Sequence, residues 1–324
     1  MEKDYSISAV RFFATCFIIL CHILQFLGNE LAFWFNVGVQ MFLCISGWLY
    51  AKKRISNGFV FFLKNFLKLY VGYLLVTFLF GIVGFIKGYV SLREIIHGFL
   101  AWSTFNGGSH LWFIPTILLC YFITPFLQEF FDFVKVKSSK AWRIFWIVVF
   151  FLGLHLTVKG FLRFFTPAWI VCYILGYLLG RESNKILEII LCVIALIFNI
   201  CKIILVYGIK VQVEGQYAEY YNVYLQYTHV LLGVLLVLCI AKLCNLLDIK
   251  QKRTLCKILD ISDAYSYPIY LVHQFFILGS LSLMTLTDSI VLNVGCIFVF
   301  IVALAIPIKW ISNKTNDWIR KIFR

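Results

Sequence analysis

Apolar residues in this chain come in long unbroken runs, separated by short stretches that hold most of the charge. A half-buried strand would alternate every second residue, and no such alternation dominates here. About 20 consecutive apolar residues make a helix that crosses hydrocarbon, and ten windows approach that length. They are 6–27, 34–51, 66–87, 111–128, 142–158, 161–180, 186–208, 223–247, 264–286 and 289–311. The segment 92–102, "LREIIHGFLAW", is amphipathic and too short to cross, so it is predicted to be a small helix lying along the membrane surface. The pattern therefore predicts an all-α polytopic membrane protein with about ten transmembrane helices.

Composition agrees with the pattern. Of 324 residues, 62% are hydrophobic and only 14% charged. Soluble domains carry about 25% charged residues, so an ordinary water-soluble globule is excluded.

The charge distribution adds orientation. Lys and Arg number 29 against 15 Asp and Glu, a net charge of +14. Counted over alternate loops, 22 of the 29 fall on one side and 6 on the other, with Arg11 inside a span. By the positive-inside rule both termini are expected in the cytoplasm. The same asymmetry explains the basic balance without a nucleic-acid partner. The first apolar run is not expected to be a signal peptide, because it is too long, contains Arg11 and leads to no small-residue cleavage site. Neither a linker nor an appended soluble domain is apparent in residues 1–324. The eleven cysteines form no CxxC pair, and all but Cys256 lie in apolar stretches, where they read as small hydrophobes.

Arg11 and His22 interrupt the first span. Eleven positions at 100° each come to about 20° past three turns, so both side chains share one stripe, roughly 16 Å apart along the axis. Each has a plain alternative: a snorkelling anchor for Arg11, a hydrogen bond to a neighbouring helix for His22. An ionisable residue inside a bundle is nevertheless a functional candidate by default. Three further segments carry unusual residues. "VGVQMFLCISGWLY", 37–50, sets Gly38, Phe42 and Ser46 on one face. "GSHLWFIPTILLCYFITP", 108–125, opens with His110 and Trp112. "ISDAYSYPIYLVHQ", 261–274, leads through hydroxyl-bearing residues to His273.

Taken in order, these segments resemble the acyltransferase 3 family of integral membrane acyltransferases. The family's opening Arg and His match Arg11 and His22. Its "FFxxSGF"-like segment matches Phe42 to Trp48, its "LWFL"-like segment Leu111 to Ile114, and its "SYxIYLxH"-like segment Ser266 to His273. The chain departs from the family in "KNFLKLYVGY", 64–73, where an Arg-x-x-Arg pair and a following proline are replaced by Asn65, Lys68 and Val71.

The resemblance implies transfer of an acyl group, usually acetyl, from cytoplasmic acyl-CoA to a hydroxyl of an extracytoplasmic or lipid-linked saccharide. It implies a multi-pass protein, expected in a bacterial plasma membrane and engaged in O-acetylation of cell-envelope polysaccharide, with polysaccharide-assembly proteins as possible partners. Acetyl-CoA would be a substrate; no bound cofactor and no metal are expected. A hydroxyl needs a base to become a good nucleophile, and imidazole is poised for that near neutral pH. His22 is the expected base, or else the carrier of the acyl group as an acyl-imidazole. Arg11 is expected to hold a carbonyl or phosphate of the acyl donor. His110, Trp112, His273 and Lys68 are expected to bind substrate. No carboxylate lies at the depth of His22, so a Tyr, Ser, Asn or second His is expected to orient it. The sequence contains no GxSxG elbow, HExxH, P-loop or dinucleotide glycine pattern. A transporter or flippase for lipid-linked saccharide, and a non-catalytic partner in polysaccharide export, are the competing readings.

Overall fold

A computed structural model describes residues 3–101, 104–137, 153, 165–182, 184–211, 213–279 and 281–323. Among them every regular element is helical. The helices are α1 (Tyr5–Phe26), α2 (Ala32–Phe35), α3 (Gly38–Ala51), α4 (Gly58–Ile86), α5 (Leu92–Phe99), α6 (Phe113–Lys137), α7 (Pro167–Arg181), α8 (Lys185–Ile203), α9 (Gln216–Leu246), α10 (Arg253–Ile277) and α11 (Ile290–Ile322). A 3-10 turn, Ser109–Trp112, leads into α6.

Among the described residues seven segments are long and apolar enough to cross a membrane, and α7 is a shorter apolar helix. Of the predicted fifth span, 142–158, only residue 153 is described, and the start of the sixth also lies outside the described residues. The short amphipathic helix predicted within 92–102 is α5, begun by a capping box in which Ser91 and Glu94 satisfy each other's backbone amides. Several helices outrun their predicted spans because a hydropathy window stops at the first charges while the backbone continues. α4 starts at Gly58, where the Asn57 side chain accepts from the amide of Val60, and α11 runs on to Ile322.

The predicted ninth span, 264–286, is displaced in the structure. α10 begins at Arg253 and stops at Ile277. The apolar stretch that follows is a loop tied down by polar bonds: Asn293 Nδ2 donates to the carbonyls of Met284 and Thr287, and its Oδ1 accepts from the amide of Thr287. Met284 is buried in this loop. Hydrophobicity there marks a loop anchored by Met284, which a span-length window cannot distinguish from helix.

The chain divides into two compact units. The first comprises Met1–Val10, Val37–Ser56 and Ile123–Ile249. In it α3 packs closely on α7, and α9 packs on both and on α8. A Cβ on Gly47 would collide with the backbone of Tyr173, and one on Gly176 with the carbonyl of Cys44, so these two glycines let the helices meet backbone to backbone. Polar groups beside this seam are paired: Thr124 Oγ1 lies 2.7 Å from the Tyr173 hydroxyl, and Cys172 Sγ donates to the carbonyl of Gln40. Ser46, the residue before Gly47, belongs to this tightly packed helix.

The second unit comprises Arg11–Asn36, Asn57–Phe122 and Lys250–Arg324. Here α4 packs against α5, α10 and α11, and α10 against α11. The phenol of Tyr73 donates to the carbonyl of Gly98, that of Tyr70 to Phe99 and that of Tyr267 to Leu69. The first two bonds anchor the C-terminal end of α5, where helix carbonyls lack intrahelical partners. Phe80 of α4 stacks on Phe275 of α10, ring centroids 3.8 Å apart.

Candidate active site

The candidate site lies wholly within the second unit. α1 and α10 do not approach as closely as the packed pairs; long side chains join them in two rungs. In the lower rung Arg11 Nη1 donates to Asp263 Oδ1 over 2.6 Å. In the upper rung the rings of His22 and His273 lie 5.1 Å apart, centroid to centroid. The steps are eleven residues on α1 and ten on α10, each roughly 15–16 Å along its axis, so the two helices run in the same direction. The Arg11 and Asp263 side chains keep 29% and 18% exposure, and a guanidinium has five N–H donors. The pair leaves Arg11 able to hold a further acceptor.

The 3-10 turn Ser109–Trp112 brings in a third imidazole. His110 stands edge-on to His273 with centroids 5.1 Å apart. Its Nε2–H donates to the carbonyl of Leu271 over 3.1 Å, while the Tyr270 phenol donates back to the carbonyl of His110. Gln274 Nε2 donates to Ser109 Oγ over 2.6 Å. The turn and the last part of α10 are thus stitched at three points, and Phe275 closes one side, edge-on to His110.

These bonds fix the ring nitrogens. A carbonyl only accepts, so His110 carries its proton on Nε2, and His273, whose Nδ1 lies 2.7 Å from the carbonyl of Tyr270, carries its proton on Nδ1. One lone pair stays bare on each: Nδ1 of His110 and Nε2 of His273. Gln274 Oε1 is a third bare acceptor. All three residues are at least nine-tenths buried. Buried acceptors without a hydrogen bond are costly, about 1–3 kcal/mol each, and call for an explanation.

His22 is the less buried member of the cluster. Its Nδ1 lies 2.6 Å from Gln25 Oε1. With Oε1 accepting, the proton sits on Nδ1 and the Nε2 lone pair is available as a base.

The structure therefore brings His22, His110 and His273 together and sets Arg11 on the lower rung of the same two helices. Trp112 ends the 3-10 turn, its ring edge-on to Phe113, and Lys68 is exposed on α4. Neighbouring Lys64 donates to the carbonyl of Phe323, and Asn65 caps back onto Phe61. Sequence reasoning missed Gln25, Asp263, Gln274 and Tyr270. Gln25 was findable, because it sits three residues after His22 on the same helix face. Asp263 carries no local signal at 252 residues from its partner. Among the described residues no group of three His, Cys, Asp or Glu is arranged to hold a metal ion.

A family model described as "Acyltransferase domain" matches residues 4–311, nearly the whole chain. The protein belongs to this acyltransferase 3 family and is a multi-pass membrane transferase. No curated protein and no solved structure matches the chain.

Proposed function

We propose that this membrane acyltransferase transfers an acetyl group from cytoplasmic acetyl-CoA to a hydroxyl of a saccharide, lipid-linked or extracytoplasmic, in the bacterial plasma membrane. The observation that carries the reading is the trio of buried bare acceptors beside His22, His110 Nδ1 on the 3-10 turn and His273 Nε2 and Gln274 Oε1 near the end of α10. Three acceptors suit a ligand rich in hydroxyl donors, which a saccharide is. Loss of even one such partner from a dry site is expensive, so the trio also favours hydroxylated acceptors over apolar alcohols.

In this mechanism His22 Nε2 takes the proton of the acceptor hydroxyl as its oxygen attacks the thioester carbonyl carbon. The C–O bond forms, the C–S bond breaks, and the imidazolium returns the proton to the departing thiolate. Gln25 holds the ring in the tautomer that leaves Nε2 bare. Arg11, steadied by Asp263, steers a carbonyl or phosphate of the acyl donor from the end of the helices that the Lys and Arg count assigns to the cytoplasm. Cell-envelope polysaccharide is the acceptor class that this orientation favours.

The test offers labelled acetyl-CoA to the purified protein in lipid nanodiscs, with and without lipid-linked saccharide from envelope extracts. Wild type should release labelled glycan and His22→Ala should not. Label that stays on wild-type protein without acceptor would replace base catalysis by an acyl-imidazole. Equal labelling of glycan by wild type and His22→Ala would overturn the reading.

A further inference from the structure

The first unit contains a cavity of about 680 Å³ that the acyl-transfer reading does not use. That volume is typical of a pocket for one small ligand. Four chain segments meet there: the start of α1, the end of α3, the start of α8 and the end of α9. Its two ends differ in chemistry.

One end is charged. Lys52, Lys185 and Lys242 supply three ammonium groups, and Asp4 and Glu188 supply two carboxylates. Asp4 Oδ2 lies 3.8 Å from Lys52 Nζ, which also sits 5.4 Å from the ring centroid of Trp48. Lys52 is thereby held back as part of the wall, and Lys185, the first residue of α8, and Lys242 are left to face a ligand across Glu188. Lys185 and its neighbours also present the amide end of a 19-residue helix, which favours an anion. The local balance is one net positive charge.

The other end is apolar. Ile189 and Val193 of α8 continue the wall one and two turns beyond Lys185, and Leu238 of α9 faces the same space. From residue 185 to 193 this wall rises roughly 12 Å. Ile189 and Val193 are 62% and 48% exposed, so the wall is open on the side where lipid tails would lie.

We propose that this cavity is a binding site for one anionic glycerophospholipid of the cytoplasmic leaflet, its phosphodiester between Lys185 and Lys242 and one acyl chain along Ile189 and Val193. Basic pockets between helices at the cytoplasmic face suit such headgroups. A single surplus positive charge matches a monoanionic phosphodiester. A zwitterionic headgroup would bring another ammonium among three, and coenzyme A would bring several phosphates to one net charge. The site is independent of the acyl-transfer reading.

The experiment is native mass spectrometry of the purified chain in neutral detergent, titrated with dioleoyl-phosphatidylglycerol or dioleoyl-phosphatidylcholine. One phosphatidylglycerol per chain should be retained in preference to phosphatidylcholine. Lys185→Gln with Lys242→Gln should weaken it by about 30-fold, at roughly fivefold for each lysine. Lys314→Gln with Lys321→Gln, basic residues of α11, should leave it unchanged. Val193→Trp, which fills the apolar end and keeps every lysine, should also expel the lipid, and serves if the double variant does not fold. Equal retention of the two lipids, loss in the α11 variant, or undiminished binding in the cavity variants would each overturn the proposal. So would displacement by inorganic phosphate or acetyl-CoA, which would make the cavity a site for free anions or for the acyl donor.

Discussion

The contact of α3 with α7 and the meeting of α1 with α10 both join two helices inside an apolar chain, yet they are made from opposite materials. At the first, Gly47 and Gly176 remove side chains so that backbones touch, and the nearby polar groups of Tyr173 and Cys172 have partners. At the second, an Arg–Asp pair and two imidazoles bridge the helices, and acceptor atoms beside them stay bare. Helices in lipid gain nothing from mutual hydrophobic burial, so close packing is the source of cohesion where the chain uses small residues. Where it uses long polar ones, it gives up close backbone packing and gathers groups that can do chemistry.

The sharpest test of that contrast is His22→Ala. A positioned base contributes typically 10²–10⁴-fold, so acetyl transfer should fall by about 10³-fold, about 4 kcal/mol of barrier, with an unchanged unfolding temperature. Gly176→Val should do the reverse, because its Cβ meets the Cys44 carbonyl; it should cost about 3 kcal/mol of stability in unfolding titrations. Gly295→Ala, with open space at its Cβ, should cost none. Asp263→Asn should remove a charge-assisted bond and about 2 kcal/mol, and exchanging the pair as Arg11→Asp with Asp263→Arg should recover stability without activity. Gln25→Leu should lower turnover about tenfold, one lost hydrogen bond, and shift its pH profile while stability holds.

The smallest effect belongs to the α5 cap. Bonds from the Ser91 amide and hydroxyl hold the Glu94 carboxyl below its usual range. The cap is therefore fully present above the free carboxyl's range and is lost as pH falls through the lowered value. Amides of α5 should be less protected at pH 3 than at pH 6, each exchange rate being taken relative to the intrinsic rate at that pH, and Glu94→Gln should abolish the difference.

Much of this was legible in the sequence because lipid imposes a simple rule: runs of apolar residues become helices. The amphipathic segment at 92–102 became α5, and His22, His110 and His273, 251 residues from first to last, came together. The end of α10 was not legible, since the residues after Ile277 are apolar yet belong to a turn held by Asn293. Nor was Asp263, because a single carboxylate in a charged stretch looks like an ordinary cytoplasmic loop residue until the fold sets Arg11 against it. Paired spacings offered the one available hint: eleven residues from Arg11 to His22, ten from Asp263 to His273.

The Arg11–Asp263 pair has a consequence for biogenesis. The opening helix leaves the ribosome with a guanidinium whose carboxylate lies 252 residues downstream. At about 5–20 residues per second, that partner emerges roughly 13–50 s later. During that interval the insertion machinery or lipid phosphates must shelter the newborn segment, and a chain cut short before residue 263 would enter quality control with its first helix still uncompensated.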